Sequence, residues 1–204
     1  MVEQVLNTGC KMLISSFIFL AETHGFLDDF KKEKELIEKY SPDYVLAEKM
    51  ENIKLSNEWD YFKFFKRKKL SKMTKYNEVY ELVKLCHKKN IPLIGIDFKN
   101  YGFNSYFQEI IQGEKEPSKK DENQIKTIIK KRQKHHLNKL KNYPGKILVL
   151  LGSWHLREDS YLCKNLDNYT IIYPSDSQGR MILGPGEIKK EDIKYSERTS
   201  NVKS

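Results

Sequence analysis

Cysteine is scarce in this chain: Cys10, Cys86 and Cys163 stand far apart, are odd in number and form no Cys-x-x-Cys pair. That usage argues against a disulfide framework or a cysteine zinc site, and it suits a reducing, cytoplasmic setting. Long apolar runs are missing as well. The longest, Met12 to Ala21, falls short of the about 20 residues that a membrane span requires. A preceding Lys11 and small residues within the run are features shared with a signal peptide. The run is nevertheless dense in Ile, Phe and Leu and ends directly on a polar motif, as a buried strand does. No internal repeat is visible, although both halves contain a strand that runs into a histidine.

The 204 residues suit one domain. A domain of this size buries roughly 70% of the surface its unfolded chain exposes, so the core needs no covalent staples. Hydrophobic residues at 39% and charged residues at 32% place the chain on the polar side of globular proteins. The formal charge of +9 invites a nucleic-acid or anionic-membrane partner. Basic residues cluster at Lys63, Lys66, Arg67, Lys68 and Lys69 and again from Lys126 to Lys141. Lys, Ile and Asn are abundant throughout, as an AT-rich genome produces, so solvated lysine faces explain the charge more simply than nucleic acid. The expected partner is a small-molecule or peptide substrate, with no transmembrane segment and an oligomeric state left open.

Six segments carry strand signals: Leu13–Leu20, Tyr44–Ala47, Leu93–Ile96, Ile147–Leu151, Thr170–Tyr173 and Arg180–Leu183. The first, third and fourth are continuous apolar runs, the pattern of strands buried on both faces. Helical stretches lie between them. Asp28 to Tyr40 reads as a surface helix. Within Asn77 to Lys89, Val79, Leu82, Val83 and Cys86 repeat at the spacing of one helical face. Gln124 to Lys141 carries Ile125, Ile128, Ile129, His136, Leu137 and Leu140 on a similar face, stopped by Tyr143-Pro144-Gly145. This alternation predicts an α/β domain over residues 1–186, a central mixed, largely parallel sheet flanked by helices. An aromatic, lysine-rich insert at about 52–75 stays unassigned, Glu114 to Glu122 reads as an exposed loop, and 187–204 as a polar, flexible tail.

Four predicted strands deliver polar groups at their carboxyl ends: Glu22-Thr23-His24-Gly25, Glu48, Asp97, and Gly152-Ser153-Trp154-His155. Ligands of open α/β sheets bind outside these ends, because loops converge there while the sheet holds them rigid. Two imidazoles with two or three carboxylates suit hydrolysis. They can bind a divalent metal whose water ionises near neutral pH, or orient a histidine that takes a proton from water directly. Glu48 and Asp97 taken singly are as readily helix caps. His87, His135 and His136, on basic helices, read as surface or interface residues.

The order of these motifs resembles a known superfamily. Leu20-Ala21-Glu22-Thr23-His24-Gly25, followed by Pro42-Asp43 and a strand ending in Glu48, resembles the opening of the TraB/Tiki, ChaN-like and erythromycin-esterase-like superfamily. Arg132 on a helix, then the strand from Lys146 to His155, resembles that superfamily's arginine-bearing helix and second Gly-x-x-His box. Ala21 stands where the first box usually has Gly. The likeness spans about Ile14 to Leu156. It implies a mixed α/β fold with the boxes meeting at one sheet edge. Tiki-type members are metal-dependent proteases, erythromycin-esterase members open a lactone without a required metal, and ChaN-like members bind haem. Carried over by position, His24, Glu48 and His155 match the shared core and would be the metal ligands; Glu22 matches the first box and Arg132 the helix arginine.

The expectation is therefore a hydrolase of a peptide, ester or lactone bond, with Glu22, His24, Glu48, Arg132 and His155 as catalytic residues. Glu22 would be the general base and Arg132 would stabilise the oxyanion. The metal, if used, would be Mn, Co or Zn. The alternatives are a haem or small-ligand binding protein without catalysis and a basic nucleic-acid-associated protein.

Overall fold

The computed structural model describes residues 15–23, 27–66, 77–111, 114–183 and 190–200. In chain order the elements are β1 (Ser16–Glu22), α1 (Asp29–Tyr40), β2 (Tyr44–Glu51), β3 (Lys54–Leu55), α2 (Glu58–Phe65), α3 (Asn77–Lys88) and β4 (Leu93–Asp97). There follow α4 (Ser105–Ile111), α5 (Lys119–Leu140), β5 (Lys146–Gly152), α6 (Tyr161–Lys164), β6 (Tyr169–Ser175) and β7 (Lys194–Ser200). The strands form one sheet in the order β3-β4-β2-β5-β1-β6-β7. Neighbours among β4, β2, β5, β1 and β6 pair in parallel, while β3 and β7 run antiparallel at the two edges. This is the mixed, largely parallel sheet that the sequence predicts. Among the described residues no helix is long and apolar enough to cross a membrane.

Alternation along the strands divides the core into two layers. Ile18, Leu20, Val45, Ala47, Leu93, Leu148 and Leu150 pack against Leu36 and Ile37 of α1, Tyr61 and Phe64 of α2, and Leu82, Val83 and Cys86 of α3. Phe17, Phe19, Ala21, Leu46, Ile94, Ile96, Ile147, Val149 and Leu151 pack against Leu137 and Leu140 of α5 and Leu162 of α6. Both faces of the central strands are buried, which is why their sequences read as unbroken apolar runs.

Local chemistry fixes the helix starts. Asp28 caps α1 by accepting from the Lys31 N–H, a contact worth about 1 kcal/mol. Ser118 and Asp121 form a reciprocal capping box that starts α5 at Lys119, so the expected loop 114–122 ends earlier than the charge pattern suggests. The insert resolves into β3 and α2, followed by residues 67–76, which lie outside the described ones.

Two expectations are corrected. Arg180–Leu183 supplies only a single bridge, Ser175 to Met181, instead of a strand. The tail expected from 187 onward returns as β7, which pairs with β6 along all seven of its residues, Lys194 through Ser200. Its backbone supplies the ladder while its side chains stay polar, a pattern that hydrophobic content alone does not reveal. Tyr195 packs against the α1-side core, under the Lys32 ammonium.

Candidate functional site

Parallel pairing brings the carboxyl ends of β4, β2, β5 and β1 to one edge, and polar side chains follow the last core residues there. Glu22 lies opposite Gly152 in register, so the two histidine-bearing motifs of the sequence leave the sheet side by side. His24 itself, with Gly25 and Phe26, lies outside the described residues. Thr23 and Leu27 on either side are fixed: the Thr23 amide donates to Asp29 Oδ2 at 3.0 Å and the Leu27 amide to Thr23 Oγ1 at 3.1 Å.

On the α5 side of the sheet a buried ionic network forms. Glu48 follows Leu46 by two residues and so shares its face. Its Oε1 meets the Arg132 guanidinium and lies 3.2 Å from His155 Nε2, and its Oε2 accepts the Gly152 N–H at 2.6 Å. Arg132 reaches the other way to Asp97, with Nε 3.2 Å from both carboxylate oxygens and Nη2 in closer contact with Oδ2. His136, one helical turn beyond Arg132 on α5, places Nε2 3.6 Å from Asp97 Oδ1, and its ring stands edge-on to that of His155 with centroids 5.2 Å apart. All five residues are buried. Burial works against ionisation of Asp97, but His136 and Arg132 outweigh it and hold the carboxyl below its ordinary value. Burial likewise opposes the charge on Arg132, yet Asp97 and Glu48 raise it above the usual arginine value. The guanidinium is thus a permanent cation between two carboxylates.

Glu22 stands elsewhere. It continues the parity of Ile18 and Leu20 and faces the α1 side, where its Oε1 lies 3.0 Å from Lys49 Nζ. Lys49 also contacts Glu33 of α1, and Asp29 lies nearby, held by Thr23. Three buried carboxylates surround one ammonium. Burial and the neighbouring Glu22 push Glu33 up to about 9, and burial followed by Glu22 pushes Asp29 up to about 6. Burial opposes the charge on Lys49, but Glu22 and Glu33 hold it above its ordinary value. Glu22, expected as general base, instead pairs with Lys49 on the opposite face of the sheet.

The sequence reading therefore meets a divided result. Glu48, Asp97, Arg132 and His155 converge, Glu22 pairs with Lys49, and His24 lies outside the described residues. The network also contains His136, which the sequence suggests as a surface or interface residue and which is fully buried. Its signal was the spacing Arg132, Gln133, His136, Leu137, Leu140, one face of α5 carrying polar groups at the sheet end and apolar ones below. Asn100, Tyr101 and Gly102, which follow β4, are a second omission. All three have left-handed backbones, with φ of 52°, 54° and 74°. For a non-glycine residue this costs on the order of 1 kcal/mol, and such strain concentrates at functional sites.

A divalent cation does not fit the described donor set. Both oxygens of Glu48 are engaged, and the Arg132 cation already lies between Glu48 and Asp97, where it would repel a metal ion. Among the described residues no three His, Cys, Asp or Glu side chains are arranged to hold one. The chemistry open to the network is that of an oriented imidazole. With Nε2–H donated to Glu48, the lone pair of His155 resides on Nδ1, which is buried and makes no hydrogen bond among the described residues. Protein-family models, curated proteins and solved structures were all compared with this chain, and none matches.

Proposed function

We propose that the protein is a hydrolase in which His155, oriented by Glu48, takes a proton from water at the carboxyl end of the sheet. The observation that carries this reading is the pairing of His155 Nε2 with Glu48 while the buried Nδ1 has no hydrogen-bond partner among the described residues. A carboxylate on one ring nitrogen sets the tautomer and leaves the other nitrogen to accept a proton. Water deprotonated by Nδ1 would attack the carbonyl carbon of an ester, lactone or peptide bond. The leaving oxygen or nitrogen would then recover the proton from the imidazolium. Arg132 uses Nε and Nη2 on Asp97 and Glu48, and so holds the carboxylate that orients His155. Asp97 and His136 are positioning residues: they fix Arg132 and the packing of the imidazole. The kinship suggested by the sequence motifs supports the same chemistry, in the form that dispenses with a metal.

Screening purified protein against ester, lactone and peptide libraries tests the proposal. The wild type should turn over members of at least one library, and His155→Ala should lose about 10²–10⁴ in rate, the usual share of a general base. Equal turnover by both, at equal thermal stability, would sink the assignment.

A further inference from the structure

The network is buried, so a reaction there needs a way in, and the turn after β4 is built as one. We propose that Tyr101 is the entrance residue of the site, an aromatic cover over Arg132 that swings aside to admit substrate and then contacts it. This rests on the hydrolase reading above.

Four observations meet at this residue. The Tyr101 ring lies over the guanidinium, 5.1 Å from Arg132 Cζ, beside the buried Phe103 ring at 5.9 Å. Tyr101 is nevertheless 45% exposed. The turn that carries it, Asn100 to Gly102, is left-handed throughout, a conformation that is uncommon and costly for non-glycine residues. The backbone of the turn is held by the Asn100 amide donating to Glu51 Oε1 at 3.1 Å and by local bonds from the Tyr101 amide to Phe98 O at 3.0 Å and from the Phe103 amide to Asn100 O at 2.9 Å. With the backbone fixed, the motion falls to the Tyr101 side chain. Burial, then the Glu48 and Asp97 carboxylates, hold the phenol above its ordinary value, so the cover stays neutral beside the network.

The same ring names the kind of substrate. Tyr101 is exposed and lies over a buried guanidinium, which suits a carbonyl compound with a flat or apolar group next to the scissile bond. Small, fully polar acyl groups would gain nothing from it.

Phenylglyoxal labelling of arginines, read by peptide mass mapping, tests the cover without requiring any activity. Arg132 should be labelled at least about tenfold faster in Tyr101→Ala than in wild type, while Tyr101→Phe keeps the wild-type rate. Gly102→Ala, which strains the turn at φ +74° but keeps the ring, should also accelerate labelling. Arg198, part-buried on β7, serves as the reference and should label equally in all four proteins. Equal labelling of Arg132 throughout overturns the proposal, as does acceleration at Arg198 in step with Arg132. In the activity arm, Tyr101→Ala should raise KM for phenylacetate esters more than for acetate esters. An unchanged KM ratio overturns the substrate contact. If wild type turns over nothing while Tyr101→Ala exposes Arg132, the hydrolase reading fails and the cover stands.

Discussion

Arg132 shows how a single residue can be both an anchor and a hazard. Its guanidinium is taken out of water and kept charged by Asp97 and Glu48, so removing it leaves two carboxylates buried without a counter-ion. Breaking a buried pair in this way costs about 3–5 kcal/mol. Arg132→Met should therefore lower the unfolding free energy by about that amount in urea titrations at neutral pH, with partial recovery on acidification as the carboxyls protonate. A loss below about 1 kcal/mol, the surface-pair value, would mean that the network is solvated. Glu48, Asp97 and His155 were legible in the sequence because Glu48 and Asp97 follow an apolar run directly and His155 follows the short Gly-Ser-Trp turn after one, and parallel pairing then brings such ends together. Arg132 was legible only through the family resemblance. The partnership of Glu22 was not legible. Glu22 and Glu48 both end strands, but which face each occupies depends on the parity of Ile18, Leu20 and Leu46 relative to helices whose side of the sheet the sequence does not disclose.

Among the elements, β2 shapes the site most. Its pairing with β4 shifts between Ala47 and Glu51, an irregularity that turns the chain after Glu48 and Lys49 have been sent to opposite faces. The displaced backbone lies directly over Gly95. A Cβ there would sit 2.6 Å from the Met50 carbonyl oxygen and closer still to that of Glu51. Gly95→Ala should cost about 1–3 kcal/mol or more and depress any activity through Glu48, since the backbone has to shift before the methyl fits. Unchanged melting would show that β2 has slack at this point. α1, α3, α5 and the central strands were readable from the sequence to within a few residues, whereas α2 fell in the unassigned insert and α4 and α6 were not foreseen. β3 was not, because two residues carry no period. β7 was not, because a strand at a sheet edge is held by its ladder and needs little apolar content. Deleting residues 194–204 should lower the melting temperature and expose the β6 edge to self-association, which light scattering would reveal; an unaltered melt would make β7 dispensable.

For the molecule as a whole, the buried acids set opposing limits on stability with pH. Glu33, with an ordinary value of 4.5, is raised to about 9 in the fold, and Asp29 from 3.8 to about 6. A group raised in the fold gives its full stabilisation below its unfolded value and loses it as pH climbs through the folded one. Both residues thus weaken the fold with rising pH, Asp29 from about 4 to 6 and Glu33 from about 4.5 to 9. Asp97 is lowered, so its contribution is lost as pH falls below the ordinary carboxylate range. Thermal stability should peak at about pH 4–5 and decline toward pH 9. Glu33→Gln, which mimics the protonated acid beside Lys49, should flatten the alkaline decline; a wild-type melting curve that rises from pH 5 to 8 would contradict this assignment.

The central claim is that an imidazole held by a carboxylate, and no metal, activates water in this protein. It is tested most directly by the turnover of exhaustively chelated protein on a substrate drawn from the library screen, wild type beside Glu48→Gln. The account predicts that chelated wild type keeps its rate, while Glu48→Gln loses about 10²-fold or more with its fold intact. Loss of wild-type turnover on chelation, restored by adding zinc, manganese or cobalt, would contradict it.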